Sequence, residues 1–154
     1  MTNLVMVFDI DGTLANVEHR RQFVASKTKN WAAWNAAMDR DTVHNDIKFI
    51  MDMCRFTSFN HPDYEDRIVT VLCSGRGEET RDVTTKWLVD NKIWHDKLYM
   101  RAAKDNRKDS IVKVELLQEI RKDWGEPYLW FDDRQQVVDA IRRSEEHTSE
   151  LQSH

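Results

Sequence analysis

Five consecutive apolar residues, Leu4-Val5-Met6-Val7-Phe8, run straight into Asp9-Ile10-Asp11-Gly12-Thr13-Leu14. A short apolar run that ends at a glycine turn has the pattern of a strand buried on both faces, and such strands belong to parallel sheets. At its end, Asp9 and Asp11 stand two residues apart, so in extended backbone both side chains point to the same side. Like charges held this close repel, and each is driven toward protonation unless a cation or a shared proton intervenes. The pattern therefore asks for a divalent metal, a shared proton, or both. Gly12 lets the chain turn without a Cβ penalty. Thr13 can offer its hydroxyl and its backbone N–H to an anion.

An apolar strand leading into a polar corner recurs along the chain. Ile68 to Cys73 is the second strand, followed by Ser74-Gly75-Arg76-Gly77 and a helix expected over 78–91 with Val83, Trp87 and Leu88 inward. A small hydroxyl residue at a strand end, then glycine and a helix N-terminus, forms an anion-binding corner. Lys97 to Met100 is a short third strand, and the polar, basic stretch Arg101 to Asp109 can rim a site. A helix is expected from Ser110, capped by Asp109-Ser110 and carrying Ile111, Val112, Leu116, Leu117 and Ile120 inward as far as Trp124. Tyr128 to Phe131 is the fourth strand and ends in Asp132-Asp133-Arg134, before a helix with Val137, Val138 and Ile141 inward. A second acidic pair at a strand end poses the same problem as Asp9 and Asp11. Carboxylates converging in this way suit a hard cation such as Mg2+, which prefers oxygen ligands. Strands alternating with helices predict an α/β fold, a parallel sheet flanked by helices. Its ligand site should lie beyond the carboxyl ends of the strands, where Asp9, Asp11, Ser74, Asp132 and Asp133 all fall.

Residues 15–66 contain no convincing strand. Helical spacing over 16–28, at Trp31, Trp34 and Met38, and at Ile47, Ile50, Met51 and Cys54 predicts two or three helices, with a loop at Asn60, Pro62 and Asp63. Trp31 and Trp34 read as core residues, with nucleobase stacking as the alternative. Arg20 or Arg21 could reach a phosphate. At 154 residues the chain fits one domain. Its net charge of −4 carries no nucleic-acid footprint at the whole-chain level, though a local basic patch stays open. Cys54 and Cys73 make no disulfide scaffold, so a reducing cytoplasm is expected. No apolar run approaches the roughly 18 residues of a membrane span, so no membrane partner is expected. The last stretch, residues 143–154, has no apolar period and resembles translated sequencing adapter. It is expected to be a non-native, unstructured tail, with the natural protein longer at this end.

The string D-I-D-G-T-L resembles the first signature of the haloacid dehalogenase (HAD) superfamily, mostly Mg2+-dependent phosphatases. The resemblance implies a Rossmannoid parallel sheet with a small helical cap inserted after the first strand, at about 15–66, in a phosphatase domain over 1–142. It implies that Asp9 is the nucleophile, forming an aspartyl-phosphate, and that Asp11 is general acid and then general base. Thr13, Ser74 and Gly75 would bind the phosphoryl group. Lys113 would clamp phosphate and nucleophile, with Lys104 and Lys108 as competing choices. Mg2+ would be held by Asp9, the backbone carbonyl of Asp11, and Asp132 or Asp133.

The later strings are more specific. S-G-R, T-x-x-W-L at Thr84 to Leu88, L-Y-M-R, R-K-D-S-I-V-K and F-D-D-R-x-x-V-V are similar to the 3′-phosphatase domain of phage polynucleotide kinase–phosphatases over about residues 4–142. By position, Arg20, Arg76, Asp109 and Lys113 match residues of that domain's active site. Arg20 and Arg76 would contact phosphate, and Asp109 would orient a neighbouring cation or base. Gly12, Gly75, Gly77 and Gly125 are the only glycines, and none precedes a lysine, so the kinase P-loop has no counterpart. The expectation is an Mg2+-dependent phosphomonoesterase acting on 3′-phosphate ends of DNA or RNA in end repair, in the host cytoplasm if phage-encoded. The alternative is a mononucleotide or general small-molecule phosphatase.

Overall fold

The computed structural model describes residues 3–60 and 67–152. Strands β1 (Asn3–Phe8), β4 (Arg67–Gly77), β5 (Lys97–Arg101) and β6 (Pro127–Phe131) form one sheet in the order β5-β4-β1-β6. Every pairing in it is parallel. The fold is the expected α/β, HAD-like arrangement. Period-2 alternation sorts the apolar residues onto two faces. Phe8 and Leu72 join Met51, Trp87, Leu88 and Ile93 on one side of the sheet. Val5, Val7, Val69, Val71 and Cys73 join Val112, Leu116 and Ile120 on the other. Helices α2 (Asn45–Asn60) and α3 (Arg81–Asp90) thus cover the first face and α4 (Asp109–Trp124) the second. Each fully buried side chain of this size contributes about 1.5–3 kcal/mol, so both faces hold the sheet together. Helix α5 (Gln135–Gln152) packs on α4 through Leu117, Val137 and Ile141.

Several local features depart from expectation. Residues Ala15–Asn16 (β2) and Thr42–Val43 (β3) pair as a two-stranded antiparallel ribbon where no strand was expected. A two-residue pairing is too short to leave an alternating pattern. The helix expected over 16–28 is a 3₁₀ turn at Glu18–Phe23, and α1 (Trp31–Ala36) is a single short helix whose first turn is capped by Asn30. Asn30 Oδ1 accepts the Ala33 N–H at 3.0 Å. Trp31 is not core: 53% of its surface is exposed. Helix α2 runs to Asn60, and the loop positions Pro62 and Asp63 lie outside the described residues.

Strand β4 does not stop at Cys73. It pairs on as far as Gly77↔Arg101, with a register shift between Ser74 and Gly77. A bulge of this kind re-aims the side chains it carries, here Arg76. Helix α5 continues through 143–152, where an unstructured tail was expected. That stretch contains no Gly or Pro, and its Glu, Leu and Gln residues are good helix formers, so nothing stops propagation from Gln135. Among the described residues, no helix is long and apolar enough to cross a membrane.

Candidate active site

The carboxyl ends of β1, β4 and β6 and the first turn of α4 meet at one edge of the sheet. The Asp9 N–H donates to the Phe131 carbonyl at 2.9 Å, which ties the end of β1 to the end of β6. Past it, the N–H groups of Thr13, Leu14 and Ala15 all point at the Ile10 carbonyl. This tight turn needs φ = +84° at Gly12. It also needs the missing side chain, because a Cβ there would stand 2.1 Å from Asp133 Oδ2.

Lys113 is the centre of the acidic group. Its Nζ donates to Asp9 Oδ1 at 2.8 Å and to Asp132 Oδ2 at 2.6 Å, and Asp109 Oδ2 lies 3.4 Å away. The side chain is 1% exposed, whereas Lys104 and Lys108 are exposed. Burial works to lower the lysine's pKa, but Asp9, Asp109 and Asp132 outweigh it, and the ammonium is held above the ordinary lysine range. Asp9 Oδ2 accepts from the Thr13 hydroxyl at 3.3 Å. Burial is the largest influence on Asp9 and pushes its carboxyl up to about 8, against the pull of Lys113 and with help from Asp132 and Asp11. Asp109 opens α4 and does not cap it by side chain, because Arg101 Nη2 and Lys113 take its carboxylate. A Cβ on Gly75 would meet Asp109 Oδ1 at 2.2 Å, so that glycine makes room for the carboxylate.

Asp11 faces a different set of partners. Its Oδ1 accepts from Arg20 Nη2 at 2.6 Å and from Arg76 Nη2 and Nε at 2.6 and 3.0 Å. Burial works to raise its pKa, but Arg76 and Arg20 overcome that and hold the carboxyl below the ordinary range. Ser74 is fully buried, and its hydroxyl accepts the Arg76 N–H at 3.1 Å. Arg76 Nη1 also donates to Thr84 Oγ1 at 3.1 Å.

One oxygen each from Asp9, Asp132 and Asp133 lies within 4.8 Å of the others. All the donors are carboxylate oxygens, the set that a hard divalent cation selects. Asp9 is buried at a cost to its ionised form, and a cation would offset that cost. These residues therefore fit the metal that HAD phosphatases use. The mouth of the site is an open pocket lined by Gly12, Thr13, His44, Asp46, Asp132 and Asp133, among others.

A family model, polynucleotide kinase PNKP phosphatase domain, matches residues 3–152. The chain belongs to this family. Among solved structures, the PNKP phosphatase domain seen here is similar to a chain of the Pnkp1/Rnl/Hen1 complex, with a TM-score of 0.70 at 30% identity. It is also similar to a chain of the Pnkp1/Rnl/Hen1 RNA repair complex, with a TM-score of 0.72 at 28% identity. The matches cover 93% and 94% of this chain but 43% and 40% of those chains, so it spans less than half their length. A search of curated proteins found no match.

Sequence reading passed over one residue of this cluster. Asp41 is buried and accepts from His19, Arg20 and Arg76 at once. It lies in a stretch, Met38 to His44, with no periodicity to mark it. The one available signal was indirect: two arginines assigned to a single phosphate need a buried counter-ion to hold them in place.

Proposed function

We propose that this HAD-type phosphatase is an Mg2+-dependent phosphomonoesterase that removes 3′-phosphates from nucleic-acid ends through an aspartyl-phosphate on Asp9. The observation that carries the reading is the position of Asp9, fixed by Lys113 and Thr13 and grouped with Asp132 and Asp133. Family membership supports the reaction class, and the similarity to chains of an RNA repair complex supports a nucleic-acid end as substrate.

When bound by Asp9, Asp132 and Asp133, Mg2+ supplies positive charge that offsets these carboxylates and the incoming phosphoryl group. Lys113 holds Asp9 Oδ1, so the attacking oxygen has one orientation. A new Asp9 O–P bond forms as the bond from phosphorus to the 3′-oxygen breaks, and the leaving oxygen takes its proton from Asp11. Water then gives a proton to Asp11 and attacks phosphorus, which breaks the Asp9 O–P bond and releases inorganic phosphate. Ser74, Gly75 and Lys113 stabilise the equatorial oxygens where charge develops. Without substrate, Arg20 and Arg76 keep Asp11 ionised, which suits neither donation nor the approach of an anion. A phosphoryl group would compete for the same guanidinium groups. Arg20 Nη1 is buried with no acceptor among the described residues, a donor that a phosphate oxygen would satisfy. As the arginines turn to phosphate, the Asp11 carboxyl regains its proton and becomes an acid.

The test is Mg2+-dependent phosphate release from a 3′-phosphorylated oligonucleotide, beside its 5′-phosphorylated isomer and the 3′-mononucleotide. Preference for the 3′-phosphorylated oligonucleotide is expected. Equal or greater release from the mononucleotide would overturn the end-repair reading and favour a nucleotide phosphatase.

A further inference from the structure

We propose that Trp31, backed by Trp34, is a stacking platform for a nucleobase of the substrate strand close to its 3′-phosphate. The proposal rests on the polynucleotide reading above and names a subsite for it. Trp31 opens α1 with 53% of its surface exposed, so core packing does not account for an indole there. The ring is nonetheless held in place. It meets Trp34 edge to face, with centroids 6.4 Å apart and planes at 85°. Trp34 is covered in turn by the Arg20 guanidinium, whose Cζ lies 4.1 Å from the ring centroid. Arg20 also reaches Asp11 at 2.6 Å. An unbroken series of contacts therefore leads from the reacting carboxylates to an exposed aromatic ring.

The charge around it fits a nucleic-acid strand. The chain as a whole carries −4, yet residues 21–30 lie at or near the surface and hold Arg21, Lys27 and Lys29 with no acid among them, Arg21 pairing with Glu18. Lys29 Nζ lies 5.5 Å from the Trp31 ring centroid. Proteins that bind single strands combine such a ring with cations: the ring takes the face of a base and the cations take the backbone phosphates. Lys27, Lys29 and Asn30, which lead into Trp31, are exposed and polar, so the surface is not the contiguous apolar patch that a protein or lipid partner would select.

The experiment compares the parent with Trp31→Ala and Trp31→Phe on three substrates: a 3′-phosphorylated single-stranded oligonucleotide, the same strand with abasic sugars at its last two positions, and p-nitrophenyl phosphate. Trp31→Ala should raise KM for the intact strand about tenfold, within the range of one lost base stack, with kcat unchanged. Trp31→Phe should recover most of the loss. The abasic strand should already bind the parent about that much more weakly, and Trp31→Ala should add nothing further. Fluorescence anisotropy of labelled strand on an Asp9→Asn background should show the same shift in Kd without turnover. An unchanged KM and Kd in Trp31→Ala would overturn stacking at this residue while leaving the proposed function intact, and so would an equal loss on intact and abasic strands. A parent that hydrolyses p-nitrophenyl phosphate but no oligonucleotide would remove the proposed function and this inference with it.

Discussion

Arg20 and Asp41 form a bidentate ion pair with both side chains fully shielded from solvent: Nε to Oδ1 is 2.7 Å and Nη2 to Oδ2 is 2.6 Å. The same carboxylate accepts from Arg76 Nη2 at 3.0 Å, so one buried acid fixes both guanidinium groups that contact Asp11. Removing one partner of a buried pair costs about 3–5 kcal/mol, because the other charge is stranded. Asp41→Ala should therefore lower the melting temperature sharply, and Asp41→Asn should do so less. At a temperature where the Asn variant stays folded, kcat/KM should fall for oligonucleotide and small phosphoester alike, since the defect lies at the two arginines proposed to contact phosphate. Retained kcat/KM there would leave Asp41 with a role in folding alone.

Asp9→Asn should abolish phosphate release without harming the fold. Asn keeps the shape of the buried side chain and removes an ionisation that burial disfavours. The sign follows from the raised pKa. Between the ordinary value of 3.8 and about 8, the folded state holds the Asp9 proton that the unfolded state releases, so this group's contribution to stability is lost as pH rises through that window. In the absence of divalent cations, chemical denaturation should show the parent losing stability from pH 5 to pH 8 relative to Asp9→Asn. A variant that is less stable than the parent at pH 8, or that still releases phosphate, would sink the assignment.

The sheet was legible because most of Leu4 to Phe8 and Ile68 to Cys73 packs into the cores on the two faces, so the strands read as apolar runs interrupted only by the buried Thr70. The site's carboxylates were legible for a related reason. A strand's end fixes where its next residue goes, which is how Asp9 and Asp132 could be expected together. Lys113 needed the family resemblance, since a lysine on a helix ordinarily faces water. Asp41 and the exposed position of Trp31 were not legible. Both lie in the segment between β1 and α2, where the helical spacing of Trp31, Trp34 and Met38 runs past the end of a six-residue helix, and where tertiary contacts with Arg20 and Arg76 place Asp41 and Trp34. The bulge that re-aims Arg76 was equally hidden, because S-G-R-G reads as a turn whether or not the strand continues through it.

Cation binding should release protons near neutral pH. Burial pushes the Asp9 pKa up, so its carboxyl keeps its proton to a higher pH than a free carboxylate does until a divalent ion takes its oxygen. Calorimetric titration with Mg2+ in two buffers of different ionisation enthalpy should give up to one proton released at pH 7 and little above about pH 9. Asp9→Asn should show none. A parent that binds Mg2+ at pH 7 without releasing a proton would mean that Asp9 is already ionised beside Lys113.

Gly12→Ala separates backbone strain from the metal site. At φ = +84° an L-residue is strained, at a cost of about 1–2 kcal/mol. The added Cβ would also stand 2.1 Å from Asp133 Oδ2. Asp133 is exposed and can swing aside, so the fold should survive with a modest fall in melting temperature. Its carboxylate would leave the group it forms with Asp9 and Asp132. The Mg2+ concentration for half-maximal activity should therefore rise several-fold, while kcat at saturating Mg2+ stays close to the parent's. Gly125→Ala is the matched control. It carries the same kind of strain at φ = +107°, yet a Cβ there meets nothing within 4 Å, so its Mg2+ requirement should not move. A Gly12→Ala protein with an unaltered Mg2+ requirement, or a Gly125→Ala protein with an equally raised one, would remove Asp133 from the metal site.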